Sequence, residues 1–184
     1  MKLDSLVQQI SKDHQVMLMT PASKITQAKI NGIDLLTYSR DYLIDGTKVT
    51  FFARNDVPYA YFSQLETISP DNITFRLMAS SAIFKMKAWL IQKRVKSRDL
   101  FDLMQLLIIK GDRVESLFNA ARDAEVAIYS EEFLKDALTG VVPLDADDEG
   151  FESIGLKISL EDIYAFFKSA IDDYEIGRAA ALIK

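Results

Sequence analysis

The chain has 184 residues, 49% hydrophobic and 27% charged, a balance that suits a globular domain with a real core and excludes an intrinsically disordered chain. It contains no cysteine and a single histidine, His14, so disulfides, cysteine-ligated zinc and histidine-rich metal sites are excluded. A formal net charge of -5 excludes a protein that coats nucleic acid over its whole surface, though it leaves room for a local basic patch.

No apolar run approaches the ~20 residues needed to span a bilayer, and Met1-Lys2-Leu3-Asp4-Ser5-Leu6 lacks the long apolar core of a signal peptide. No membrane partner is expected, and the cytoplasm is the default compartment. Leu3, Leu6, Val7 and Ile10 recur at helical spacing and predict a short amphipathic helix from Leu3 to about Ser11. His14 follows in a polar stretch and is expected at the surface. Val16-Met17-Leu18-Met19 is a short apolar run closed by Thr20-Pro21. Lys24 to Ile30 alternates like a half-buried strand and is expected to end at Asn31-Gly32. Asp45-Gly46 can supply two positive-φ residues, so Asp41–Ile44 and Thr47–Phe52 are expected to form a hairpin across it. Ile73 to Met78 is one more expected strand.

From Ser80 the pattern turns helical. One helix is expected from Ser81 to about Val95, with a break near Lys96-Ser97. A second runs from Arg98 to about Lys110, with Ser97 able to cap its start and Gly111 its end. Its Leu100, Leu103, Leu106 and Leu107 should face the core. Asp112 can cap a third helix reaching about Asp123, and Ser130 opens a fourth that stops at Thr139-Gly140. Ser159 and Asp162 are spaced as a capping box for a last helix with an apolar stripe of Ile163, Phe166, Phe167, Ala170, Ile171 and Tyr174. Gly177 should weaken its end. The acidic loop Leu144–Gly150 does not fit a calcium loop, because the twelfth position would be Leu156, and is expected to be solvated. Strands first and helices after predict an α+β fold with segregated layers: antiparallel β hairpins in residues 1–79 and a helical bundle in residues 80–184.

Between Lys85 and Arg98 stand Lys85, Lys87, Lys93, Arg94, Lys96 and Arg98 with no acid among them. On a continuing helix Lys87, Arg94 and Arg98 would share a face. Two readings fit: a solvated helix end whose cations suit the helix dipole, or a positive strip that faces phosphates. The next segment, Arg98-Asp99-Leu100-Phe101-Asp102-Leu103, allows an Arg98–Asp102 pair at i, i+4.

The span Phe84 to Leu103 resembles the third and fourth motifs of the AbiEii/AbiGii-type nucleotidyltransferase-like toxins of abortive infection: a helix with Lys, six residues, Arg, three residues, then Arg-Asp-x-x-Asp-Leu. Position by position this implies Lys87 and Asp102 as catalytic residues and Arg94, Arg98 and Asp99 as substrate- or phosphate-binding residues, with no metal ligand in the chain. Gly46 to Phe52 is similar to the family's Gly-x-x-Val-Asp-Phe-Phe strand, and Phe151-Glu152 and the Ser159 helix also fit its layout. Residues 1–79 then become a partial nucleotidyltransferase-like subdomain. The family's Gly-Gly-Thr turn and Asp-x-Asp pair are missing, and its third carboxylate is Thr50 here. The family implies Mg²⁺ and an NTP, but those carboxylates are what would hold the metal, so neither is expected to bind this chain alone. The implied function is a nucleotidyltransferase-like toxin that is catalytically incomplete. The alternative is a non-catalytic binding or oligomerisation module, derived from that fold or unrelated to it. Expected partners are an antitoxin or a missing N-terminal segment, an RNA or nucleotide, or further copies of the chain.

Overall fold

Asp45 and Gly46 adopt φ values of 45° and 80°, the pair of left-handed residues that lets a two-residue turn follow the twist of its strands. A computed structural model describes residues 3–52, 61–68, 77–124, 129–151 and 155–183. It divides into two compact units, Met1–Tyr59 and Ala60–Lys184.

In the first unit, the expected hairpin joins β2 (Ser39–Ile44) to β3 (Thr47–Phe52), and β1 (Val16–Leu18) pairs on the other side of β2. All three strands are antiparallel in the order β1-β2-β3, with Tyr42 opposite both Leu18 and Val49. Tyr42 is buried and meets the edge of the Phe51 ring at 5.9 Å. Asp45 also ties down the segment before β1: its carboxylate accepts from the backbone N–H of Gln15 at 2.8 Å and contacts Nδ1 of the exposed His14 at 2.6 Å. The hydrogen bond with His14, followed by that from Gln15, holds the Asp45 carboxyl below its ordinary pKa.

Three helices accompany this sheet: α1 (Leu3–Ile10), α2 (Ala22–Ile30) and α3 (Leu35–Tyr38). The second corrects the strand expected from Lys24 to Ile30. Only Ile25 and Ala28 in that segment are partly buried, three residues apart, which is a helical spacing; Ile30 is 73% exposed. Asn31-Gly32 is a helix end rather than a strand end. Gly32, at φ 72°, lets its own N–H reach the Lys29 carbonyl at 3.0 Å and the Ile33 N–H reach the Ala28 carbonyl at 2.8 Å.

The second unit begins with a small antiparallel ladder, β4 (Thr67–Ile68) against β5 (Leu77–Met78). Residues 73–76 of the strand expected to end at Met78 lie outside the described residues. Five helices follow: α4 (Ser80–Leu90), α5 (Ser97–Lys110), α6 (Val114–Asp123), α7 (Glu131–Leu138) and α8 (Leu160–Leu182). Their apolar faces bury Phe84, Leu100, Leu103, Leu107, Leu117, Phe118, Leu134, Leu138, Ile163 and Phe167 in one core. The fold is thus α+β, with two small antiparallel sheets and eight helices among the described residues.

Several helix ends depart from the sequence reading for identifiable reasons. α4 stops at Leu90 instead of running to Val95, because residues beyond it turn to place Ile91 and Val95 in the core while Lys93 and Arg94 stay at the surface. Asp112 does not cap α6. Gly111, at φ 66°, closes α5 with a bond from the Asp112 N–H to the Leu107 carbonyl at 3.1 Å, so Asp112 completes the preceding helix and Arg113 takes the cap position without a side-chain bond. Ser130 does cap α7, accepting from the Phe133 N–H at 3.2 Å, and Ser159 and Asp162 form the full capping box of α8. α8 passes through Gly177 without ending there. Its last turns are tied to α7 through Lys135–Glu175 at 2.5 Å and Arg178–Glu131 at 2.8 Å.

Gly140 ends α7 at φ 82°, and a Cβ there would lie 2.6 Å from the Tyr164 ring; at Gly111 a Cβ would meet nothing within 4 Å. Replacing Gly111 by Ala is expected to destabilise by roughly 1–2 kcal/mol, the cost of a left-handed non-glycine residue. Gly140→Ala should cost about 1–3 kcal/mol more through overpacking. Urea unfolding midpoints of the two variants check this; equal losses would contradict it.

Candidate functional site

The Arg-Asp-x-x-Asp run opens α5, which places Asp99 and Asp102 on neighbouring turns of one helix face. Lys87, in the last turn of α4, reaches both. Its Nζ lies 2.6 Å from Asp99 Oδ1 and 2.7 Å from Asp102 Oδ2. Arg94, from the turn after α4, approaches the other oxygen of Asp99 with two nitrogens, Nε at 3.1 Å and NH2 at 3.0 Å. Four residues separated in sequence therefore converge, and two cations balance two carboxylates.

Asp99 is the centre of this cluster. Its side chain is 4% exposed, against 43% for Asp102 and 45% for Arg94. A carboxylate removed from water must be paired and hydrogen-bonded, or it neutralises or unfolds the site. Charge-assisted bonds from Lys87 and Arg94 meet that requirement. Burial alone pulls the Lys87 ammonium toward its neutral form, but the hydrogen bonds to Asp102 and Asp99 outweigh it, and its pKa is raised above the ordinary 10.5. Lys87 is a fixed positive charge at neutral pH.

Arg98 does not join the cluster. Instead of pairing with Asp102, its guanidinium meets Glu149 at 3.0 Å and donates from Nε to the Gly150 carbonyl at 3.1 Å. Ser97 does not cap α5 either. It is the first residue of the helix, and its backbone N–H donates to Asp148 Oδ1 at 3.0 Å. The loop Leu144–Gly150, expected to be solvated, is thereby clasped onto the segment before α5: Asp145 accepts from the Val95 N–H at 3.2 Å, and Asp147 pairs with Lys96. Lys96 is therefore not part of a free strip, and its hydrogen bond, followed by its charge, holds the Asp147 carboxyl below its ordinary pKa. The acids of this loop are not among the site residues that the sequence predicts. The available signal is charge alone, four acids at 145–149 equal in number to the four cations at 93–98.

The Thr50 position has a partner of its own. Thr50 Oγ1 donates to Asp41 Oδ1 at 2.6 Å, across the β2–β3 ladder where the two residues are directly opposed. The carboxylates that do converge, Asp99 and Asp102, do not fit a divalent cation, because the Lys87 ammonium already stands between them at hydrogen-bond distance. Among the described residues no three histidine, cysteine, aspartate or glutamate side chains group as metal ligands. Glu152 lies outside the described residues.

Comparison with protein-family models, with curated proteins and with solved structures finds no match to this chain.

Lys87→Met keeps the stem of the side chain but leaves Asp99 with Arg94 as its remaining cation. The expected loss of stability is near the low end of the ~3–5 kcal/mol typical of breaking a buried ion pair. Adding Asp99→Asn should recover a large part of it. Thermal unfolding of the single and double variants reads this, and additive losses would show that the two residues do not depend on each other.

Proposed function

We propose that the chain is a nucleotidyltransferase-like protein of the AbiEii/AbiGii abortive-infection type that is catalytically incomplete by itself. One observation carries the reading: Lys87, Asp99 and Asp102, which the motif resemblance couples across a helix break, are in direct contact through a shared ammonium. In this reading Lys87 and Asp102 stand at the family's catalytic positions, and Arg94 and Asp99 at its phosphate-facing ones. Arg98 is engaged by Glu149 and Gly150 instead. The incompleteness follows from charge. Transfer of a nucleotide needs acids free to hold Mg²⁺ on a triphosphate, whereas Asp99 and Asp102 are already neutralised from within and the strand position carries the Thr50 hydroxyl. Mg²⁺ and an NTP would enter only with carboxylates supplied by another segment.

Purified chain incubated with Mg²⁺, a radiolabelled NTP and tRNA is expected to leave the RNA unlabelled. Label on tRNA that disappears in Lys87→Ala would overturn the claim of incompleteness.

A second reading, a binding or oligomerisation module, is favoured by the first unit. Tyr42 is its only buried residue among those described, and Met17, Leu18, Met19, Ile30, Ile33 and Phe52 are each at least 44% exposed. A three-stranded sheet with so little core depends on a covering surface, and exposed apolar groups of this kind recruit one. An antitoxin, a separately encoded segment or a second copy of the chain would serve. Light scattering coupled to size exclusion is expected to give a mass above the monomer as concentration rises; a constant monomer mass would count against this reading.

A further inference from the structure

The contacts between the acidic loop and the start of α5 run in register. Asp145, Asp147, Asp148 and Glu149 meet Val95, Lys96, Ser97 and Arg98 in that order, two through backbone N–H groups and two through cations. The first pair is closed from both sides, since the Asp145 N–H donates to the Val95 carbonyl at 2.9 Å. Asp148 spends both oxygens, one on the Ser97 N–H at 3.0 Å and one on the Gly150 N–H at 3.2 Å. A row of anions thus lies along a short row of cations and the N-terminus of a 14-residue helix, the surroundings that attract phosphate.

Two features distinguish this clasp from a purely structural one. The acids of the charged pairs are at the surface, with Asp147 87% and Glu149 57% exposed against 16% for Lys96 and 34% for Arg98; an ion pair open to solvent on its acid side adds little to stability and yields to a competitor. In addition, the Ser97 hydroxyl, on a residue only 2% exposed at this same helix start, has no hydrogen-bond partner among the described residues. The closed loop leaves that buried donor unmet. Asp148 has already used its second oxygen on the Gly150 N–H, whereas the two non-bridging oxygens of a phosphodiester can accept from the N–H and the hydroxyl of one serine together.

We propose that the loop Asp145–Gly150 is an autoinhibitory strap standing in for a phosphodiester strand, and that single-stranded nucleic acid displaces it to bind Lys96, Ser97 and Arg98. The exposed Lys93 extends the strip by one cation. Successive carboxylates replace successive phosphates, which is why a strand rather than a lone anion matches the row. This inference uses no residue at which the proposed kinship would place chemistry apart from Arg98, and it stands whether or not transfer activity is found.

The test is the variant Asp147→Asn/Glu149→Gln, which removes the exposed charges and keeps the Asp145 and Asp148 bonds to the backbone. Fluorescence anisotropy with a short labelled single-stranded RNA at low salt should show binding at least ~10-fold tighter than for the unaltered protein, weakening with salt by a log–log slope of about -0.7 per phosphate engaged. Adding Lys96→Ala should remove the gain. A folded variant that binds no tighter overturns the proposal, and so does a gain abolished equally by inorganic phosphate at the concentration of strand phosphates. A second measurement needs no variant: saturating RNA should speed hydrogen exchange at the Asp145 amide of the unaltered chain, and unchanged protection there would also overturn it.

Discussion

A buried carboxylate sets the terms for the centre of the second unit. Asp99 has almost no contact with water, so its charge must be met inside the protein. Lys87 meets it from the end of α4, Arg94 from the turn that follows, and Asp102 shares the lysine from the next turn of α5. The apolar residues of these segments, Phe84, Ala88, Ile91, Val95, Leu100 and Leu103, are buried in the same core. Packing and charge therefore fix the same joint. A helix continuing past Leu90 would carry Arg94 along the α4 axis; the observed turn brings it back to the carboxylate that Lys87 already holds.

Charge balance also decides what this region can do. A positive strip in an acidic protein invites a phosphate reading, yet four of its six cations have an acid within the chain: Lys87 and Arg94 with Asp99, Lys96 with Asp147, Arg98 with Glu149. The two groups differ in depth. Asp99 is shielded and its pairs are expensive to break, whereas the acids of the loop pairs are open to solvent and screened by salt. Any ligand for these cations competes with internal anions, and it competes far more easily at 96–98 than at 87–94.

The sequence made the helical half readable because its signals are local. The 3.6-residue period of Leu100, Leu103 and Leu107, the Ser159–Asp162 box and the glycines after α5 and α7 each act within one or two turns. The Asp45-Gly46 hairpin was legible for the same reason. Lys24–Ile30 was misread because a short segment with apolar residues at positions 25, 28 and 30 satisfies period 2 and period 3.6 almost equally; the Gly32 cap settled it as helix. The site was legible in part. The motif resemblance put Lys87 and the two aspartates in one group, but did not imply that Arg98 would leave them, because its partner Glu149 is remote in sequence and reaches it only through the folded loop.

The junction between α5 and α6 has a bearing on how the bundle assembles. Gly111, Asp112 and Arg113 are all that separate the two helices, and the turn is closed by bonds within those residues and the helix end before them. Bringing two segments together across so few residues forfeits little chain entropy. Because α4 packs against both α5 and α6, the short turn brings neighbours in sequence together without a long loop, and contacts of that kind shorten the search for a native topology.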